Sequence, residues 1–541
     1  MTQSTIQDQA RSSRHWQRAI ALIGACLCTG TSASVYTFSL YGQPLAQKLN
    51  FNSRQTSIVA ICANFGFLFA GPFIGRAADI YGPKRLAAIG AIIVCTAFLC
   101  IAYTYNGTLP WNSFIVLAFY ETLMGLGSQC TSMAAVTTTS KNFKRSRSMA
   151  ISLTNAFFGL SPLIMSQLNT LIFVSENGSP DTFGFIRFMG IAGGTAALLA
   201  TLCLVVVGFG PSKFADESNP ESSSTHSANS ELDNQHYIQN SNVSENTPLV
   251  NRQSPSESSP WSATSSSTQV PQSAQVSRAQ TTKSIRTNRD AGLDYDFVRD
   301  LGGMRFIRDP EAQLLSLVVL TGAGIGIFFI NTIGTIVDSL YSSSVPERDP
   351  NKAQSLINFY VSLVSFASLT GRLIIGPVAD IGKRLYNIPR SSLLVFITFG
   401  LVVSQIAIGL TTKIELLWIG TALTGVFYGS LFALVLSLTS TWFGNKHFGS
   451  NVGLLILTTP IGGEICGFIF GWVYDQNIPD RDPRKCVNGY CYRDAFVATT
   501  GLALTCLLLA TILVRHRSIR RCSIRELLRE EEEVQEEVWP L

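Results

Sequence analysis

Twelve mainly apolar stretches run through the chain. Six lie near 17–40, 55–75, 86–105, 112–139, 148–173 and 185–209, and six near 313–340, 354–378, 392–411, 416–440, 448–473 and 494–514. Roughly 20 such residues make a helix that crosses the hydrocarbon core of a bilayer. No soluble core accommodates twelve of them, so the spacing predicts six spans, a polar gap and six more. Composition agrees, with 14% charged residues in 541 and a mean hydropathy of +0.26, where soluble domains carry about 25% charged residues. Glycine without period and 12 cysteines in this length exclude collagenous and small disulfide-framed folds. The expected fold class is an all-α polytopic membrane protein with 12 transmembrane helices in two six-helix bundles.

Basic residues in short loops orient such a chain. Arg11, Arg14 and Arg18 precede span 1, Arg76, Lys84 and Arg85 follow span 2, and Lys141, Lys144, Arg145 and Arg147 follow span 4. Arg515, Arg517, Arg520 and Arg521 follow span 12, whereas 106–111 holds no base. Both termini and the central block are therefore expected in the cytosol. The boundaries follow: a tail over 1–16, a bundle over 17–210, a linker over 211–312, a bundle over 313–514 and a tail over 515–541. The sequons at Asn106 and Asn177, candidates for glycosylation, fall in loops assigned to the other side. Cys486 and Cys491 lie there too, close enough in sequence to form a disulfide or to stay as two thiols.

Residues 211–290 are dominated by Ser, Asn, Gln, Thr and Pro. They offer too little apolar surface to offset chain entropy and are expected to be disordered. Within them Glu245, Leu249 and Val250 resemble the acidic dileucine signal that adaptor complexes read when routing proteins to vacuoles. From 294 to 312 apolar residues return among charges (Phe297, Leu301, Met304, Phe306, Ile307), the pattern of an amphipathic helix against the second bundle or the membrane.

One short pattern occurs twice. After span 2 the chain reads Gly75-Arg-Ala-Ala-Asp79-Ile-Tyr-Gly82-Pro-Lys84-Arg85, and after span 8 Gly376-Pro-Val-Ala-Asp380-Ile-Gly382-Lys383-Arg384. A small residue, an Asp four later, a turn Gly and a basic pair at matching places in both halves mark a duplication. The small residue allows close helix approach, and the Asp can cap or salt-bridge a neighbouring helix end. This pattern resembles the signature loop of the major facilitator superfamily, and the six-plus-six layout extends the likeness over the whole chain. That resemblance implies two pseudo-symmetric bundles rocking about a midplane site, with the Asp79 and Asp380 loops latching the cytosolic side when the cavity faces outward.

Ionisable and polar residues inside spans are costly and hence functional candidates. They are Glu121 in span 4, Arg372 in span 8 and Glu464 in span 11, with Tyr36, Tyr41, Gln129, Asn155, Asn331, Asn358 and Tyr428. Each serves equally as a helix–helix hydrogen-bond partner. Arg372 has two readings: a guanidinium waiting for a carboxylate or phosphate, or a brace for Asp380.

The run Gly30-Thr-Ser-Ala-Ser-Val-Tyr36-Thr-Phe38-Ser-Leu-Tyr41 is similar to the first helix of the nodulin-like and monocarboxylate-porter branches, and Gly371-Arg372-Leu-Ile-Ile-Gly376-Pro-Val-Ala-Asp380 to their eighth. With the long linker, the whole resembles the fungal vacuolar monocarboxylate-transporter homologues. The resemblance implies that Arg372 binds a carboxylate. Ser368 and Leu40 stand where the porters carry their proton-bearing Asp and first-helix Lys, which leaves Glu121 or Glu464 for a proton. The expected activity is secondary transport of a small organic anion across the vacuolar membrane, with the plasma membrane as the alternative site and a non-transporting sensor as the alternative function. Expected partners are the lipid bilayer, a small-molecule substrate with or without a coupled proton, and an adaptor complex at the linker, but no nucleic acid. No ATP-binding loop of G-x-x-x-x-G-K-[ST] form is present, the five His lie outside the spans, and no enzyme activity, metal or cofactor is expected.

Overall fold

A computed structural model describes residues 3–51, 53–143, 146–173, 181–207, 300–344, 350–477 and 490–538. All twelve expected spans are helical. Span 1 is helix Gln3–Ser32, a 3₁₀ stretch Ala33–Thr37 and helix Phe38–Lys48. Span 2 is the bent pair Ser53–Phe69 and Gly71–Tyr81, broken by 42°. Spans 3, 4 and 5 are Pro83–Asn106, Phe114–Asn142 and Arg147–Ile172. Span 6 runs from Thr182 to Cys203 and span 7 from Pro310 to Ser344, each with a five-residue π-helical insert. Spans 8 to 12 are Pro350–Tyr386, Ser392–Gly409, Leu417–Trp442, Phe448–Asn477 and Tyr490–Val538.

Ten of the described helices are long and apolar enough to cross a membrane, and the bent pair supplies an eleventh. Phe114–Asn142 has the length, but a run of polar residues (Gln129, Thr131, Thr137, Thr138, Thr139, Ser140) lowers its apolarity, and the bundle buries them. Three of the hydroxyls bond back to carbonyls one turn earlier, Thr131 to Ser128 at 2.9 Å, Thr138 to Ala134 at 2.8 Å and Thr139 to Ala135 at 2.9 Å, which satisfies them without water.

Both ends of the chain extend helices beyond the expected limits. Residues 3–16, read as tail, are the first turns of span 1, and 515–538 continue span 12. Gln, Arg and Glu are good helix formers, and no Gly or Pro interrupts either segment. Gly382 also departs from its expected turn. Span 8 passes straight through it to Tyr386, and the turn falls on Asn387, at φ 51°. In the first copy Gly82, at φ 85°, does make the turn.

Of the region 294–312, residues 304–308 form one helical turn (Met304–Arg308) rather than a long amphipathic helix. Phe306 is buried against Phe443, ring centroids 4.9 Å apart. Asp309 then caps span 7 by accepting from the Glu311 and Ala312 amides, the usual role of Asp at an N-cap.

Candidate functional site

The two bundles meet at one end. Helix Gly71–Tyr81 of span 2 lies along the start of span 11, and span 8 lies along span 5. A Cβ on Gly75 would overlap the carbonyl of Gly449, and one on Gly453 the carbonyl of Gly71. Two Gly-xxx-Gly pairs, 71/75 and 449/453, thus cross with their backbones in contact, as small residues permit between helices in lipid. The second copy repeats the approach less closely, Gly376 resting on Ser148 and Ser152 of span 5.

These crossings carry the two aspartates to opposing helix starts. Asp79 accepts from the Gly449 amide at 3.0 Å, the Ser450 amide at 2.8 Å and the Ser450 hydroxyl at 3.0 Å. Asp380 accepts from the Met149 amide at 2.9 Å. Each carboxylate of one bundle therefore caps a helix of the other, where orphan amides and the helix dipole favour negative charge. Asp380 is further held by Arg390 at 3.0 Å, a residue that the repeated motif does not contain. Lys84, Arg85 and Arg384 are exposed and Lys383 is half-buried. Between the aspartates, Ser140 and Ser440 both donate to Asn445 Oδ1, at 2.9 and 2.6 Å, and Arg147 donates to the Ser440 carbonyl at 2.9 Å. Ser148 and Ser437 pair their hydroxyls. These hydrogen bonds join the bundles at this end, and one from Arg372 joins them further along. The protein is closed here.

Above the closure sits a narrow cavity of about 30 Å³ between the bundles. Tyr36, Asn155, Arg372, Tyr428 and Gln129 line it together with Phe158, Phe432 and Thr459. Arg372 is 6% exposed. Its Nη1 donates to the Asn155 carbonyl at 3.2 Å, and its guanidinium lies 5.8 Å from the Phe158 ring and 5.7 Å from that of Phe432. Among the described residues it has no carboxylate partner, and its Nε finds no acceptor. Gln129 Nε2, Asn155 Nδ2 and Thr459 Oγ1 are buried and unpartnered in the same walls. An unpaired guanidinium beside free donors, screened from water by aromatic rings, suits an oxygen-rich anion. Of the two readings of Arg372, the brace for Asp380 is not what the geometry displays, since Arg390 makes that ion pair.

Tyr41 and Glu121 do not face this cavity. The Tyr41 hydroxyl donates to Glu121 Oε1 at 2.8 Å inside the first bundle, and Oε2 has no partner. Asn331, Asn358 and Glu464 are exposed and are not among the lining residues. Asn106 is exposed at the far end of span 3, opposite the closure. Asn177, Glu245, Leu249, Val250 and Cys486 lie outside the described residues, as does the Cys491 side chain. The aromatic walls Phe158 and Phe432 and the donor Thr459 gave no signal in the sequence, because apolar and hydroxyl residues within spans look alike whichever face they occupy.

Two matching helix-capping latches at one end, with a cavity above them between two joined six-helix bundles, define a polytopic membrane protein. The sequence profile of the major facilitator superfamily matches residues 20–329 and 324–530, and the chain belongs to that family of membrane transporters. It is 24% identical over 545 residues to a Neurospora crassa protein named "Probable transporter mch1", covering 90% of this chain and 87% of that one. It is also 24% identical to the Saccharomyces cerevisiae "Probable transporter MCH1", with 87% and 85% covered. Among solved structures, the Escherichia coli fucose:proton symporter FucP superposes with a TM-score of 0.55 at 13% identity, covering 93% of this chain and 99% of that one. The proton:xylose symporter XylE gives 0.54 at 13% identity, covering 91% and 95%. At those identities the likeness concerns the fold.

Proposed function

We propose that this transporter moves a small organic anion by alternating access, with Arg372 holding the anion's carboxylate. One observation carries the reading: a buried guanidinium with no acidic partner among the described residues faces the cavity between the bundles. Such a charge is costly unless something neutralises it, and a carboxylate fits its planar fork. The sequence resemblance of the Arg372 stretch to monocarboxylate porters supports the same choice.

A coupled proton belongs to the proposal. Glu121 is the buried acid available for it, its Oε2 free to take a proton while Oε1 stays bonded to Tyr41. The vacuolar membrane is the proposed location, supported by the Glu245–Leu249–Val250 pattern in the linker; a tagged Leu249→Ala chain should lose vacuolar delivery, and unchanged delivery would discard the signal. The test of function is counterflow into proteoliposomes across a panel of small organic acids and their amides. Saturable exchange of an acid but not of its amide is expected. Exchange of neutral analogues with equal efficiency overturns the anion reading. A sensor would bind the acid without any flux.

A further inference from the structure

The loop between spans 10 and 11 together with the first turn of span 11, residues 443–451, has two working faces. Its front holds the opposite bundle: Asn445 takes up Ser140 and donates to the Ser140 carbonyl at 3.2 Å, while the Gly449 and Ser450 amides donate to Asp79. Its back is covered by residues 300–306, the stretch that leads from the linker into span 7. Asn451 Nδ2 donates to the Leu301 carbonyl at 2.8 Å. Gly302 packs on the His447 ring so closely that a Cβ there would overlap it. Asp300 lies against Gly444, whose φ of 75° makes the sharp turn out of span 10. Phe306, 2% exposed, closes the contact against Phe443.

Nine residues thus join the latch and the linker end back to back. The latch needs its two amides and Asn445 presented in one arrangement, and the segment behind fixes that arrangement. We infer that residues 300–306 act as a control element on the gate: docked, they pre-organise loop 443–451 for Asp79 and Ser140 and favour the state closed at this end. Released, they leave the loop free and shift the population toward the state open there. Two contacts that share a rigid element are linked, and each stabilises the other by the same factor. The long hydrophilic linker before residue 300, rich in Ser and Thr, gives events in it a mechanical route to the gate. The inference concerns the conformational equilibrium and does not depend on Arg372 or on the identity of the cargo.

Hydrogen exchange on the purified, ligand-free full chain tests it, with Gly302→Ala, which wedges the segment off His447 without hollowing a core, and Asn451→Ala, which removes the bond to Leu301. The decisive amide is that of Met149, donated to Asp380 on the other side of the gate and remote in sequence from both substitutions. Both variants are expected to exchange about 5-fold faster there than wild type, the lower end of ordinary coupling between sites. Asp79→Asn serves as the reference for a gate loosened directly. Faster exchange confined to 300–309 and 443–451, with the Met149 amide as in wild type, overturns the inference and leaves the segment a local brace. Failure of counterflow for every organic acid leaves this result standing, since no substrate enters the measurement.

Discussion

Asp79→Ala is the sharpest perturbation of the closed end. It removes three hydrogen bonds to a charged acceptor, from two backbone amides and one hydroxyl of span 11. Bonds of that kind are worth about 1.5–3 kcal/mol each in isolation, but they share one carboxylate and do not add. Asp79 is only half-buried, and in the open state water takes over both partners. A net loss of about 2 kcal/mol, at the upper end of N-cap losses, is the reasonable figure. It corresponds to a factor of about 30, so an equilibrium at 1:100 would move to about one open molecule in five. Pulsed EPR measures this with labels at Tyr81 and Leu385, exposed positions on the two bundles at the latch end, introduced as encoded non-natural residues to spare the native cysteines. A second, longer distance should appear in Asp79→Ala and less of it in Asp79→Asn, which keeps one acceptor. A folded Asp79→Ala protein with the wild-type distance distribution would refute the latch.

Three further outcomes follow from the same geometry. Gly75→Ala sets a methyl against the Gly449 carbonyl and should widen the same EPR distribution while sparing thermal stability more than a core substitution of equal size. Arg517→Ala takes from the fully buried Glu311 the Nη1 that its Oε2 receives at 2.7 Å and leaves Arg520 Nη1 on Oε1 at 2.8 Å. Thermal melts should show a loss of up to about 3 kcal/mol, larger than that of Arg520→Ala, whose side chain is 39% exposed; equal losses contradict the assignment. Tyr41→Phe removes the hydrogen bond to Glu121 and should cost about 1–3 kcal/mol, checked by melts.

The spans were legible because crossing a bilayer is a one-dimensional requirement that each helix meets alone. The repeat was legible for a similar reason, as Gly75, Asp79, Gly376 and Asp380 are local in sequence. What each aspartate touches was not. The acceptor role of Asp79 at Gly449 and of Asp380 at Met149 depends on how helices distant in the chain cross, and Arg390 lies outside the motif. The turn in the second copy moved from Gly382 to Asn387 because span 8 had no reason to stop at a glycine whose neighbours all favour helix. Of the candidates within spans, Tyr36, Asn155, Arg372 and Tyr428 converge on the cavity, while Tyr41 and Glu121 pair elsewhere and Asn331, Asn358 and Glu464 are exposed. Sequence marks polar residues in apolar surroundings but not the face they occupy, and span 4 is buried nearly all round over Gly127–Ser140, which leaves no periodicity to read.

Binding at Arg372 is the centre of the account. The most direct measurement is thermal stabilisation of the purified protein by a panel of small carboxylates, in wild type, Arg372→Lys and Arg372→Ala. A carboxylate present at 100 times its Kd should stabilise wild type by about 2.7 kcal/mol. That gain should fall in Arg372→Lys, which loses the planar fork, and vanish in Arg372→Ala. Equal stabilisation of all three proteins by the same carboxylate would contradict it.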